Sequence, residues 1–517
     1  MAPVFLFSVS QIKGSTVEYG LLYLLLLMLL PLLVPSLHIM VRRIRRTRDR
    51  TRKIVLAATV IALLLRLSLD PFRPMVFFDE WQYAEVAKFL LLDHRGVICA
   101  QGSAAQCNIY WHMSDSAGYP MLVAMATGAI GPLGGGEWVS LALSVLTVPL
   151  LFVVGLFMLR DEDAAAAAAV LLSLLPLHVT YATTRSSDAT SLFFITLVFA
   201  LLGAYRSTGS RRAFWASVLA LAYAGAVRTE NLILLAPALL FISLGPSRKT
   251  AALVIVPLAV TLLAAPSVLA KTGMVSFGGY AGQNITLQAR WWIGEAHHSP
   301  VLFLLALAGL AWLKGSGRRL LFITWFIVFI ALFTVQDIYL GEGDQDRHML
   351  PSYLPFLLLA GMGGVELARR YPVVALALGA VLLWQTSALY GFCQGCDRPI
   401  VREAAFAEQF RDQVSTGCMV VTQVPFFVNN AWERRVVHVS LIDEIRDYVR
   451  NGTCLYFYEN VFCDEAHLYQ YPERARSCRR MHADYILRTV HEEPGLDYSL
   501  ALYEVVGFRE GSSPKPV

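Results

Sequence analysis

Four short stretches of the chain combine acids with bases in a way that could do chemistry. MVFFDEWQYAEVAKFL, residues 75–90, carries the adjacent carboxylates Asp79 and Glu80. TTRSSDATSLFF, 183–194, carries Arg185 and Asp188, and AVRTENLILL, 226–235, carries Arg228, Glu230 and Asn231. GEGDQDRHML, 341–350, carries Asp344, Asp346, Arg347 and His348. A positioned carboxylate can take the proton of an attacking hydroxyl, and a guanidinium can grip a phosphate through two parallel hydrogen bonds. Acids for a hydroxyl and cations for a phosphate suit a group transfer, provided the fold brings the four stretches to one place.

The elements that must do so are apolar. Of 517 residues 56% are hydrophobic and only 16% charged, against roughly a quarter charged in soluble domains, and the mean hydropathy is +0.54. This is the composition of a polytopic membrane protein. Segments near the roughly 20 residues that cross a bilayer are Val17–Met40, Ile54–Leu69, Trp138–Leu159, Ala164–Tyr181, Ala189–Ala204, Ala213–Val227, Leu232–Leu244, Ala251–Ala270, Val301–Leu313, Leu320–Leu340, Met349–Leu367 and Val373–Leu389. The expected architecture is an all-α membrane domain of about twelve helices over 1–390, with a first outer loop at 71–137, and a soluble domain over 391–517. In that tail CMVVTQV, RVVHVS and CLYFYENVF read as strands and LIDEIRDYV as a helix. DYILRTVHEEPGLDYSLALYEVV reads as two strands joined at a Pro-Gly turn, which makes the tail a small α/β domain.

Charge sets the sidedness. The net charge of +5 is modest, and the run RRIRRTRDRTRK, 42–53, is a short basic loop between two apolar segments, as the positive-inside rule predicts of a cytoplasmic connection. No nucleic-acid partner is implied. The segment GYPMLVAMATGAIG, 118–131, is too short to cross comfortably. If it lies along the interface, the later loops place eleven Lys and Arg inside against five outside, so the rule favours that placement. All eight cysteines then face outward: Cys99 and Cys107 in the first outer loop, and Cys393, Cys396, Cys418, Cys454, Cys463 and Cys478 in the tail. An even number confined to one side points to disulfides in an oxidising compartment. Cys99 with Cys107 forms one loop clip, and the tail six allow 15 pairings.

Ionisable groups at membrane depth are costly and mark function by default. Two sets have plainer explanations: Arg66 can pair with Asp70 one helical turn on or snorkel to the surface, and Glu366 with Arg369 and Arg370 can anchor an inner boundary. The Ala164–Ala169 run beside Asp161, Glu162 and Asp163 is a helix start. Asn284-Ile285-Thr286 and Asn451-Gly452-Thr453 match the N-glycosylation pattern. What remains collects on the outer side, in the four stretches above, and irregular polar backbone between spans is tolerated mainly where it lines a cavity or lies in protein.

These stretches resemble those of the GT-C glycosyltransferases, in particular the protein O-mannosyltransferase and aminoarabinose-transferase-like families. FFDEWQYAEVAKFLL resembles their acidic signature after the first conventional span; TTRSSDATSLFFITL is similar to their second outer turn, and RHMLPSYLPFLLLAG to the start of their late helix. The resemblance covers roughly Ile54 to Leu389. Departures are the additional span Val17–Met40, the absence of a WWDYG-type sequence (Trp291-Trp292 is followed by Ile293-Gly294-Glu295), and a tail unlike the β-trefoil insertion of eukaryotic mannosyltransferases.

The resemblance implies inverting transfer of a hexose or pentose from a polyprenyl-phosphate donor to a hydroxyl of a glycan, lipid or protein on the outer face, with a bacterial inner membrane as the setting. Asp79 is then the catalytic base, Glu80, Asp188 and Glu230 bind acceptor or sugar, and Arg185, Arg228, Arg347 and His348 bind the donor phosphate. No cofactor is required by this reading. Asp188 with Asp79 is the acid pair that could hold Mg²⁺ or Mn²⁺, for which oxygen donors are suited, but two acids from different turns define no metal site. A lipid or polysaccharide transporter would distribute its charges across the midplane and often show inverted repeats, and neither is visible here. A non-catalytic envelope assembly protein would need no such outer cluster.

Overall fold

The computed structural model describes residues 16–69, 77–103, 106–112, 117–242, 248–264, 281–293, 298–335, 345–394, 399–463, 472–493 and 499–509. The chain divides into two compact units, Met1–Met75 with Ser114–Cys396, and Val76–Met113 with Asp397–Val517. The unit that holds the tail therefore also takes in 76–113, a segment assigned on sequence to the membrane domain.

The first unit is helical. Helices α1 (Thr16–Arg45) and α2 (Asp49–Leu69) precede α3 (Phe77–Leu92), which belongs to the second unit. The first unit resumes with α4 (Gly118–Ile130), α5 (Gly136–Met158), α6 (Glu162–Ser173), α7 (Pro176–Thr180), α8 (Ser187–Thr208), α9 (Arg211–Val227), α10 (Leu235–Ile242) and α11 (Arg248–Ala264). It closes with α12 (Ala281–Ile293), α13 (Pro300–Trp312), α14 (Ser316–Val335), α15 (Leu350–Arg370) and α16 (Pro372–Gln394). Side chains alone do not set the spacing of these helices. A Cβ on Gly309 of α13 would lie 1.9 Å from the Leu359 carbonyl oxygen, and one on Gly363 of α15 would lie 1.9 Å from that of Leu305. The two glycines let α13 and α15 touch backbone to backbone, the small-residue contact that membrane helices use.

The twelve apolar segments are mainly helical over their described residues, Ala164–Tyr181 with a break at 174–175, but fewer meet the length and composition of a membrane crossing. Five helices do, over Tyr19–Arg45, Gly136–Met158, Ser187–Thr208, Arg347–Arg370 and Pro372–Tyr390. The number rises to six if the pair Glu162–Ser173 and Pro176–Thr183, bent by 55°, is one broken span. The chain is a multi-pass membrane protein.

That break corrects the continuous span read over 164–181. Proline disfavours helix in the residue before it, so α6 ends ahead of Pro176, leaving carbonyls without intrahelical partners. Arg66 Nη1 donates to the Ser173 carbonyl at 3.4 Å and the Tyr390 hydroxyl to the Leu174 carbonyl at 2.7 Å. Arg66 thus does not snorkel. It is 1% exposed, donates to Ser144 Oγ at 2.7 Å and to His178 Nδ1 at 2.8 Å, and puts a cation at the C-terminal end of α6, where the helix dipole favours one. Its proposed partner Asp70 lies outside the described residues. Asp161 caps the other end of α6, accepting from the Asp163 and Ala164 amides, as the helix-start reading requires.

The second unit is a seven-stranded sheet in the order β2-β1-β4-β3-β5-β7-β6, formed by β1 (Val97–Gly102), β2 (Cys107–His112), β3 (Met419–Thr422), β4 (Arg435–His438), β5 (Leu455–Glu459), β6 (Tyr485–Glu492) and β7 (Ala501–Phe508). Strand β3 pairs in parallel with both β4 and β5, while β6 and β7 form an antiparallel pair beside β5. Around the sheet lie α17 (Pro399–Phe410), α18 (Ile442–Arg450) and α19 (Pro472–Asp484). The strands and helix read in the tail are present, while the Pro-Gly turn read between the last two strands lies outside the described residues. The hairpin β1-β2 was not foreseen; it adds to the sheet through antiparallel pairing of β1 with β4. Disulfides join Cys99 to Cys107, Cys418 to Cys454 and Cys463 to Cys478. The side chains of Cys393 and Cys396 lie outside the described residues.

Candidate active site

The first unit brings Asp188, Arg228, Glu230, Arg347 and His348 together, and local structure explains how. Asp188 sits in the first turn of α8 and Arg228 at the C-terminal cap of α9. The partial charges of the two helix ends favour an anion at the first and a cation at the second. An ion pair between Arg228 Nη1 and Asp188 Oδ1 joins them. Just after Arg228 the chain turns through a short 3₁₀ segment, Thr229–Leu234, which presents Glu230 to Arg228 Nη2 at 3.4 Å. A second 3₁₀ turn, Gln345–Met349, leads into α15 and carries Arg347 and His348. Arg347 Nη1 lies 3.7 Å from Asp188 Oδ2.

His348 completes the cluster. Arg228 Nη2 donates to His348 Nδ1, and because a guanidinium offers only donors, Nδ1 must be the accepting nitrogen. The ring is then neutral, with its proton on Nε2. Two carboxylates and two guanidinium groups balance in charge. Asp188 has no exposed side-chain surface and each arginine is 11% exposed, so solvent screens these charges weakly.

A floor of neutral hydrogen bonds holds the turns. Asn231 Nδ2 donates to Ser191 Oγ at 2.9 Å and to the Ala224 carbonyl at 2.8 Å. This ties the 3₁₀ segment to α8 one turn beyond Asp188 and to the last turns of α9. Arg185, also expected at the phosphate, is engaged by Glu137 at the start of α5. Neither Asn231 nor Glu137 was picked as a site residue. Asn231 could have been, since it stands beside Glu230 at the break between two apolar runs, while Glu137 in a Gly-rich connection gave no signal.

Asp79 and Glu80 belong to the second unit, in the first turn of α3, where the helix dipole favours acids. Glu80 is buried and Asp79 half-buried. Trp81 packs edge-on against Phe427 at 5.8 Å between ring centroids. Glu85, one turn on, is buried and accepts from Asn429 Nδ2 at 3.0 Å, and burial pushes its carboxyl up to about 8. Of the fourth stretch, residues 341–344, Asp344 among them, and the side chain of Asp346 lie outside the described residues.

A divalent ion at Asp188 is not supported by the donors around it. Among the described residues no group of three or more His, Cys, Asp and Glu side chains is arranged to hold a metal. Asp188 directs both carboxylate oxygens at guanidinium groups, and a divalent cation beside it would face two positive charges.

No family model matches the chain, and no curated protein matches it. Solved structures do. The Archaeoglobus fulgidus oligosaccharyltransferase, in complex with Zn and sulfate, superposes with a TM-score of 0.54 at 10% identity, over 86% of this chain and 72% of that one. ArnT from Cupriavidus metallidurans, bound to undecaprenyl phosphate, gives 0.51 at 14% identity, over 89% of this chain and 98% of that one. The fold is that of the GT-C glycosyltransferases. The acid-arginine cluster draws Asp188 and the Arg347-His348 pair from two of the three stretches in which the sequence resemblance lay, and Arg228 and Glu230 from a stretch outside it. Trp292, of the Trp-Trp pair that departs from the oligosaccharyltransferase motif, is 4% exposed and packs on Tyr353 and Phe356 of α15.

Proposed function

We propose that the protein is an integral-membrane glycosyltransferase that moves a sugar from a polyprenyl-phosphate donor to an acceptor hydroxyl, with inversion, on the outer side of a bacterial inner membrane. The observation that carries this reading is the largely buried Asp188–Arg228–Glu230–Arg347–His348 cluster in a chain with the GT-C fold. ArnT has been solved with undecaprenyl phosphate, and the cluster offers what such a headgroup needs. Arg228, Arg347 and His348 carry N–H donors of the kind that grip phosphate oxygens.

In the proposed reaction Asp79 takes the proton of the acceptor hydroxyl as its oxygen attacks the anomeric carbon. The bond from that carbon to the phosphate oxygen breaks, its electron pair leaves with polyprenyl phosphate, and the new glycosidic bond forms on the opposite face of the sugar. Charge grows on the leaving phosphate, and the two arginines stabilise it in surroundings that screen it weakly. Glu80 and Glu230 are assigned to holding acceptor and sugar, whereas Asp188, expected there too, is buried against both arginines and is assigned to holding them in place. Arg185 is assigned a supporting role at the phosphate.

The test is release of polyprenyl phosphate from a panel of polyprenyl-phosphate hexoses and pentoses by the purified chain. Asp79→Asn should slow turnover by about 10²- to 10⁴-fold, the usual worth of a positioned base, with donor affinity kept. Near-parental turnover would remove Asp79 from the base role. Arg347→Ala should weaken donor binding, and unchanged affinity would remove the phosphate role.

A further inference from the structure

At the opposite end of the first unit lies a second cluster of arginines, one without acids. Asp188 and Arg206 sit on the same helix, α8, 18 residues apart, which at 1.5 Å per residue is roughly 27 Å, most of the thickness of a bilayer core. Around Arg206 a cavity of about 610 Å³ is lined by Arg43, Arg160, Arg206 and Arg318, with Leu320 and Phe322 on its apolar side. The guanidinium of Arg318 feels the charges of both Arg160 and Arg206. Among the described residues none of the four arginines forms an ion pair. Arg43 donates to the Leu156 carbonyl at 3.4 Å and Arg206 to the Phe241 carbonyl at 2.7 Å, so both are aimed by neutral partners.

Acids are not lacking at this end; they are committed elsewhere. Asp161 and Asp163 pair with Arg369, Glu162 and Asp163 with Arg48, and Glu366 with Arg369 and Arg370. Arg160 has a backbone φ of 62°, the left-handed conformation that usually goes to glycine just past a helix end. An arginine there keeps a cation at the cavity despite the steric cost. Charges scattered only to orient a membrane protein need neither converge on a cavity nor do so without acids.

We propose that this cavity binds a phosphate-bearing anion, in the leaflet opposite the candidate active site. Guanidinium groups grip phosphate oxygens through paired hydrogen bonds, and the apolar side suits an acyl chain, the arrangement by which basic pockets between membrane helices take anionic headgroups. The anion is either the headgroup of an anionic phospholipid or free phosphate.

Native mass spectrometry of the full detergent-purified chain, titrated with phosphatidylglycerol, phosphatidylcholine or inorganic phosphate, tests this. The parent should retain one phosphatidylglycerol in preference to phosphatidylcholine. The Arg206→Gln, Arg318→Gln pair should weaken that retention by about tenfold or more, since charge-assisted hydrogen bonds are the strong ones. The Arg206→Lys, Arg318→Lys pair should keep most of it, which preserves the test if the Gln pair does not fold. Displacement of phosphatidylglycerol by inorganic phosphate identifies free phosphate as a ligand, and no displacement identifies the lipid headgroup; either upholds an anion site. Equal binding of the two lipids together with no retention of inorganic phosphate, or parental anion binding by the Gln pair, overturns it.

Discussion

Asp188 stands where the N-terminus of α8 meets the C-terminal cap of α9, and it holds two arginines at once. Removing its charge takes from both arginines the carboxylate that they share in a poorly screened place. Breaking a buried pair in this way typically costs about 3–5 kcal/mol. Asp188→Asn should therefore destabilise the detergent-solubilised protein by that order in denaturant unfolding and weaken donor binding with it. Arg185 provides the contrast. Its pair with Glu137 is partly open to solvent, with side-chain exposures of 31% and 17%, and such pairs are worth about 1 kcal/mol or less. Arg185→Ala should lower stability by no more than that, and a loss as large as that of Asp188→Asn would contradict the division made here between core and supporting residues. Most members of the cluster were legible because charge between apolar runs is expensive. Their pairing was not, because it depends on which helix ends the fold brings together.

Elements carry their own signals, and these failed at β1 though not at the equally buried β3, whose β-branched run follows a turn. All six residues of β1 are buried, so VICAQG shows none of the polar-apolar alternation by which a half-buried strand is recognised. The tail strands β3 and β5, flanked by turn residues, were recognisable. Helix α3 illustrates the opposite case, since its acids invite a catalytic reading while Glu85 serves packing. Glu85 is buried against Asn429, and burial raises its carboxyl from the ordinary 4.5 to about 8. The folded state thus keeps a proton that the unfolded state gives up. The stabilisation is complete below about pH 4.5 and is lost as pH rises to about 8, by roughly 1.4 kcal/mol per unit between those limits. Glu85→Gln mimics the protonated acid, so it should flatten the pH dependence of thermal stability between pH 5 and 8 and make the protein more stable than the parent at pH 8. A variant that keeps the parental slope would show that another group sets it.

At the scale of the whole molecule, a boundary drawn from hydropathy at 390 misses that the second unit is assembled from two parts of the chain. Hydropathy reports which residues avoid water, and it carries no information on which distant segments pair. The pairing shows in the sheet: β1 lies between β2 and β4, so a hairpin from 97–112 covers what would otherwise be the open edge of β4. The disulfide Cys99–Cys107 closes that hairpin over a sequence separation of 8, and in the chain-entropy account a loop of this size contributes about 2–3 kcal/mol. Cys99→Ser with Cys107→Ser should then loosen more than the hairpin. If the seven strands form one cooperative sheet, amide exchange should accelerate at Arg435–His438 of β4 together with Val97–Gly102 of β1, although these segments are over 300 residues apart in sequence. Faster exchange confined to 97–112 would mean that the hairpin is an appendage, and that the tail sheet holds its own edge.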